Sequence, residues 1–381
     1  MRLLHLSDLH LGKRVNEISM IEDQEYVINQ IMRIIDEQKT EGVIIAGDVY
    51  DRKDPSTEAV QLFDDFLVRL AKKNQKVFII SGNHDSAERI AFAGRLLKAN
   101  DIYISPVYDG RVEPIVMEDS YGVINFYLLP FVKPVHVKRF YAESEEINDY
   151  TDAIRVAVEQ MNIDESARNV LIMHQFVVGA ERSDSEEISV GGLDDVNSEV
   201  VNMFDYVALG HIHRPQKIQN KEHIRYCGTP LKYSFSEAAH NKVALVVDIK
   251  EKGQLQIEEI PLIPLRDMYR IIGSYDEITA RDYYDGREFK NGYLEVTLTD
   301  ENDIPEAIGR LRAIYPNIMR LKYDNTRTRT DSSVGVTERV EEKSQYELFS
   351  ELFLLQNGKD FSDEQSEYVQ SMIEKVWGGD R

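Results

Sequence analysis

Five stretches of this chain end in side chains that handle metals or protons. "LLHLSDLHLG" delivers Asp8 and His10, and "VIIAGDVYDR" delivers Asp48 with Asp51 three residues on. "VFIISGNHD" delivers Asn83, His84 and Asp85, "VLIMHQF" delivers His174, and "YVALGHIHRP" delivers His211 and His213. Five of the nine histidines fall in these turns. Imidazole, carboxylate and one carboxamide together suit borderline divalent metals such as manganese, iron or zinc. An all-oxygen set would favour magnesium or calcium, and thiolates would favour structural zinc. Asp48 is the natural bridge between two ions, because its loop carries the fewest alternative ligands. A single D-x-H or G-D is a weak signal, but five such endings in chain order are not accidental. His5 lies within a strand and reads as a core or wall residue. His136, His223 and His240 fall outside the pattern and read as surface residues.

The elements that must position these groups are strands. Leu3 to Ser7, Val43 to Ala46 and Val77 to Ile80 are apolar runs of strand length. Between them the apolar periodicity predicts helices. Gln24 to Lys39 carries Val27, Ile28, Ile31, Ile34 and Ile35 on one face. A second helix, introduced by Asp54 and Pro55, carries Ala59, Leu62, Phe63, Phe66, Leu67 and Leu70. This β-α-β-α-β run implies parallel strands with right-handed crossovers. Loops beyond the carboxyl ends of such strands converge on one crevice. Gly47 and Gly82 are placed to let the chain turn sharply there.

After residue 100 strands dominate: Ile102 to Ser105, Val112 to Met117, Gly122 to Leu129, Val170 to Met173, Tyr206 to Leu209, Ile224 to Cys227 and Val243 to Ile249. The expected architecture is α/β, a two-sheet sandwich flanked by helices. The prolines of "IPLIPLRD" mark a boundary, giving a first domain of 1–265. A small α/β unit follows over 266–325, with strands at Tyr269 to Ile272, Tyr293 to Leu298 and Arg320 to Tyr323 and a helix at Ile304 to Tyr315. A polar linker over 326–343 leads to a C-terminal helix pair over 344–381. Its first helix is Tyr346 to Leu355. Ser362 and Gln365 form a capping box for the second, which carries Tyr368, Val369, Met372, Ile373, Val376 and Trp377.

Length and composition fit a globular protein of two or three domains, with 381 residues and 42% hydrophobic side chains. The single cysteine, Cys227, excludes an internal disulfide, and no stretch reads as a signal peptide or membrane span, so the expectation is cytoplasmic. A net charge of −22 argues against an autonomous DNA binder. Local basic spots exist at Lys13 and Arg14, at Arg52 and Lys53, and across "KPVHVKRF".

The series D-x-H, G-D-x-x-D, G-N-H-D, a strand-terminal His and G-H-x-H resembles the calcineurin-like metallophosphoesterases. The wording "HLSDLHLG", "GDVYDR", "SGNHDS" and "ALGHIHRPQ", with "YCGTPLKYSFSEA" behind it, is similar to the bacterial nuclease subunits of that family. The resemblance implies two divalent ions, Mn2+ above others. Asp8, His10, Asp48 and His213 would hold one, and Asp48, Asn83, His174 and His211 the other. His84 would be catalytic, steadying the scissile phosphate and protonating the leaving oxygen, with Asp51 orienting its ring. It further implies exonuclease action on duplex DNA ends and endonuclease action on single strands and hairpins. A capping role would fall to the small α/β unit. The partners implied are a coiled-coil ATPase gripped by the C-terminal helices, DNA, and a second copy of the chain. The alternative on the same scaffold is a small-molecule phosphodiesterase or phosphatase.

Overall fold

The computed structural model describes residues 1–141, 146–183, 186, 195–326, 328 and 345–357, and further on 361, 362, 365, 366, 368, 369, 372 and 373. Two six-stranded sheets dominate it. The first runs in the order Leu255–Pro261, Val243–Ile249, Arg2–Leu6, Gly42–Ala46, Lys76–Ile80, Ile102–Ile104. From Arg2–Leu6 to Ile102–Ile104 its strands are parallel, and Val243–Ile249 joins antiparallel to Arg2–Leu6. The second runs Gln216–Ile218, Lys221–Tyr226, Tyr206–Gly210, Arg168–His174, Gly122–Leu129, Ile115–Asp119. Its four central strands are parallel.

Alternation along the strands sorts the core into layers, because successive side chains point to opposite faces. Leu3, Ile44, Ala46, Phe78 and Ile80 share one buried cluster with Phe126, Ile172 and Ala208 of the other sheet. Phe78 and Phe126 stack with ring centroids 4.0 Å apart. Leu4, Leu6, Val43, Ile45, Val77 and Ile79 face the other way. There they meet the apolar stripes of the helices Ile21–Gln38 and Thr57–Lys72. The first helix ends where Lys39 turns left-handed at φ +52°. The second is capped by Ser56, whose side chain accepts from the Ala59 N–H at 3.3 Å. Asp54 and Pro55 therefore lie outside it, and the helix begins two residues later than the sequence signal suggests. Helix Tyr150–Glu159 buries Ala153, Ile154, Val156, Ala157 and Val158 in the cluster behind the second sheet.

A third sheet follows, in the order Met268–Gly273, Tyr293–Leu298, Ile318–Tyr323, with the first two strands parallel. Its helix covers only Ala307–Arg312, because Glu306 sits at φ +53° directly behind Pro305. That is shorter than the Ile304 to Tyr315 expected. The chain packs as two units, Met1–Thr299 with Asp303–Lys322, and Asp300–Asn302 with Tyr323–Arg381. In the second unit Gln345–Asn357 is helical. Ser362 and Gln365 exchange the two hydrogen bonds of a capping box, Gln365 N–H to Ser362 Oγ at 3.3 Å and Ser362 N–H to Gln365 Oε1 at 3.1 Å. The linker expected over 326–343 lies, apart from 326 and 328, outside the described residues, as do Val376 and Trp377.

Candidate metal centre

The strand ends of both sheets meet at one place. Main-chain bonds carry the pairing of the first two strands on into their loops: Asp8 N–H to Gly47 O at 3.0 Å, His10 N–H to Asp48 O at 3.0 Å, Leu11 N–H to Val49 O at 2.9 Å. Asp8, His10, Asp48 and His211 all occupy the left-handed backbone region, at φ +51°, +45°, +48° and +101°. Such conformations cost energy in non-glycine residues and persist where the surroundings hold them, commonly at functional sites. Gly82 is required by space rather than by its own turn. A Cβ there would stand 2.0 Å from Asp48 Oδ1. Gly47, at φ +87°, does supply the turn anticipated for it.

The side chains then converge. His10 Nε2 and His213 Nε2 face each other at 3.2 Å. Asp48 Oδ2 lies 3.3 Å from His174 Nε2, 3.7 Å from His10 Nε2 and 4.0 Å from His84 Nε2. Asn83 Oδ1 lies 3.0 Å from both His174 Nε2 and His211 Nδ1. Asp8 accepts the His211 N–H at 3.0 Å, and Asp8 Oδ1 is 4.0 Å from His174 Nε2. Among the described residues three overlapping groups have ligand atoms within 4.8 Å of one another: Asp8, His10 and His213; His10, Asp48 and His84; Asp8, Asp48 and His174. Asp8, His10, Asp48, His174, His211 and His213 are buried.

The electrostatics follow from burial and from Asp48. Burial opposes ionisation of Asp48, but His174, His10 and His84 outweigh it and hold the carboxyl far below the usual carboxylate range. Burial likewise works against the His174 imidazolium, yet the Asp48 carboxylate raises that ring to about 9. Burial dominates at His10, which is pushed well down, and at His211, which falls to about 3. Burial also raises Asp8 against the pull of His174 and His213. The cluster thus offers neutral imidazoles at His10 and His211 beside the Asp48 carboxylate, a His174 ring whose proton a cation would displace, and a ring nitrogen pair at 3.2 Å that a shared cation satisfies. This donor set fits divalent metal ions.

His84 sits at the rim with a side chain 20% exposed. Its Nδ1 lies 3.1 Å from the main-chain carbonyl of Asp51. The Asp51 carboxylate points elsewhere, accepting from Lys13 Nζ at 2.6 Å and lying 3.8 Å from His10 Nδ1. Contact between Asp51 and His84 therefore runs through the backbone. Lys13 is committed to that ion pair, and Arg52 Nε also lies 3.6 Å from Asp51 Oδ2 while its side chain stays 78% exposed. His5 is buried with Nδ1 2.8 Å from the Tyr206 hydroxyl, and His136 is exposed. His223 and His240 are half-buried rather than on the open surface.

Among the supporting residues Asp85 stands in the sequence pattern, whereas Gln24, Glu186 and Lys242 carry no sequence signal. Gln24 donates to the His10 carbonyl at 2.7 Å. Asp85 accepts from the N–H groups of Val49, Tyr50 and Gly82 at 3.1, 2.9 and 2.9 Å, tying the G-N-H-D turn to the G-D loop. Glu186 accepts the His213 N–H at 2.8 Å, and Lys242 donates to the His213 carbonyl at 2.7 Å.

Residues 1–215 match the model of the family described as calcineurin-like phosphoesterase. The chain belongs to that family. Residues 264–357 match a second model, described as type 5 capsule protein repressor C-terminal domain. The SbcD subunit of the nuclease SbcCD from Staphylococcus epidermidis is 34% identical over 325 residues, spanning 84% of this chain and 85% of that protein. Within the calcineurin-like phosphoesterases the chain therefore belongs with the SbcD proteins. Among solved structures, a dimetal phosphatase from Danio rerio covers 69% of this chain and 96% of its own, with TM-score 0.41 and 10% identity. The phosphoesterase Yfce of E. coli covers 69% and 100%, with TM-score 0.29 and 12% identity. The calcineurin-like phosphoesterases are hydrolases of phosphoester bonds, and the buried Asp and His cluster is the part of this member suited to that chemistry. Among the described residues no helix is long and apolar enough to cross a membrane.

Proposed function

We propose that this chain is the nuclease subunit of an SbcCD-type complex in DNA end processing, repair and recombination. Its activity would be manganese-dependent, 3′-to-5′ on duplex ends and endonucleolytic on single strands and hairpins. The observation that carries the reading is Asp48 Oδ2, buried within 4 Å of ring nitrogens from His10 and His174, which belong to different sheets. Asp8, His10, Asp48 and His213 would hold one ion, and Asp48, Asn83, His174 and His211 the second. When bound, two such ions supply Lewis acidity toward phosphate oxygens and an acidified water.

The chain's own groups do the rest. The Asp51 carbonyl accepts from His84 Nδ1 and so fixes the ring with Nε2 toward the site. From there Nε2–H would be given to the departing sugar oxygen, the ordinary role of a positioned general acid. Arg52, exposed beside the same loop, supports a phosphate contact. Local charge of this kind offsets the acidic total near the site.

The division of labour along the chain is proposed as 1–265 nuclease domain, 266–325 capping domain, 326–343 linker and 344–381 docking helices. Exposed Phe349, Leu352, Leu354, Tyr368 and Met372 support docking on a coiled-coil ATPase of the SbcC type. Phe92 and Leu96, 79% and 76% exposed, support pairing with a second copy. The location proposed is cytoplasmic. The test is incubation with end-labelled hairpin and linear DNA in Mn2+, with and without the ATPase. Cleavage stimulated by the ATPase on DNA ends is expected. Hydrolysis of small phosphodiesters with no response to DNA would instead assign a small-molecule phosphodiesterase.

A further inference from the structure

Behind His213 lies an ion pair with almost no access to water. Glu237 and Lys242 have side chains 0% and 3% exposed, and Lys242 Nζ contacts Glu237 Oε2 directly. The other donors of that ammonium go to the His213 carbonyl at 2.7 Å and Thr229 Oγ1 at 2.6 Å. Glu237 Oε1 accepts from the Tyr233 N–H at 3.3 Å and stands 3.8 Å from His213 Nδ1. The pair thus reaches His213 twice, once at the main chain and once at the ring nitrogen turned away from His10. His213 Nε2, on the opposite side of the ring, is the atom 3.2 Å from His10 Nε2.

Burying two charges costs several kcal/mol per ion, and well-packed apolar residues often replace such pairs without loss of stability. A purely structural role therefore gives little reason for an ammonium and a carboxylate here. Outer carboxylates that face the far nitrogen of a metal-binding histidine do have a known physical effect. They fix the ring's orientation and raise its basicity as a ligand. Resting on the metal-site reading above, we infer that Glu237 is a positioning residue for His213, with Lys242 locating both the carboxylate and the His213 carbonyl. It acts through His213 and touches neither substrate nor ion.

The test compares wild type, Glu237→Gln and the apolar pair Glu237→Leu with Lys242→Met, using Mn2+ titration calorimetry and thermal melting without metal. In Glu237→Gln one of two Mn2+ sites should weaken about 10- to 100-fold while the other keeps its affinity. The apolar pair should recover the melting temperature yet keep the weakened site. Two sites of wild-type affinity in Glu237→Gln, or affinity recovering along with melting temperature in the apolar pair, would overturn the positioning role. Should Glu237→Gln not fold, the apolar pair decides by the same affinity criterion. A wild-type protein that takes up no Mn2+ overturns the metal-site reading as well, which separates the two failures.

Discussion

His10 and His213 lie 203 residues apart in the chain, yet their Nε2 atoms meet at 3.2 Å, both rings buried. At that distance only one nitrogen can carry a proton, and a cation between them satisfies both lone pairs. Ions that bind the folded chain and not the unfolded one must then stabilise it. At a hundredfold excess over Kd the gain is about 2.7 kcal/mol for one site. Melting in Mn2+ is therefore expected several degrees above melting in EDTA. The shift should shrink in His10→Ala and in His213→Ala. Equal melting temperatures with and without Mn2+ in wild type would speak against these ligands.

His84 stands apart from the buried set, at the rim, and its partner is a main-chain carbonyl. Replacing it with Gln should leave both Mn2+ sites filled while turnover falls about 10²- to 10⁴-fold, the range for a lost general acid. Asp51→Asn preserves the carbonyl and should cost less than about tenfold by the same scale. Metal content and single-turnover rates of the two variants check this. Metal loss in His84→Gln would reassign it as a ligand.

His174 sets a pH dependence. Beside Asp48 its folded pKa rises to about 9 from an ordinary 6.5. The folded state then binds more protons than the unfolded between those values, so stability falls as pH rises. The contribution is full below pH 6.5 and lost through about 9. In EDTA the melting temperature should drop across that window, and His174→Asn should lack that component. Because a cation must displace the same proton, Mn2+ affinity should rise over the window. A melting temperature in EDTA that climbs from pH 6.5 to 9 and does so equally in both proteins would refute the pairing.

The ligand loops were legible in the sequence because each follows an apolar run too short and too β-branched for a helix. Asp48, Asn83 and His174 could be named from that pattern alone. Glu237 and Lys242 could not, since nothing in their spacing marks residues that meet only when the Val243–Ile249 strand joins the first sheet. The sequence marks Gly82 but not the reason for it, because the clash with Asp48 exists only across two strands. The resemblance pairs Asp51 with His84 without saying through which atom, and only the folded loop shows the main-chain carbonyl in that place. Apolar periodicity overextends the helix after Pro305, because a left-handed Glu306 leaves no trace in it.

On the proposed docking role, the exposed apolar side chains of the helix Gln345–Asn357, Phe349 and Leu352 among them, make partner association separable from cleavage. A chain ending after residue 340 should lose association with the ATPase while retaining Mn2+-dependent cleavage of single-stranded DNA. Co-purification with and without the segment checks this. A truncated chain that still binds the ATPase would place the docking surface elsewhere.

The central claim is a pair of cations bridged by Asp48, and anomalous diffraction from crystals soaked in Mn2+ tests it most directly. Two peaks are expected on either side of that carboxylate, one among Asp8, His10 and His213, the other among Asn83, His174 and His211. A cluster with no anomalous density, or one peak remote from Asp48, would contradict the account.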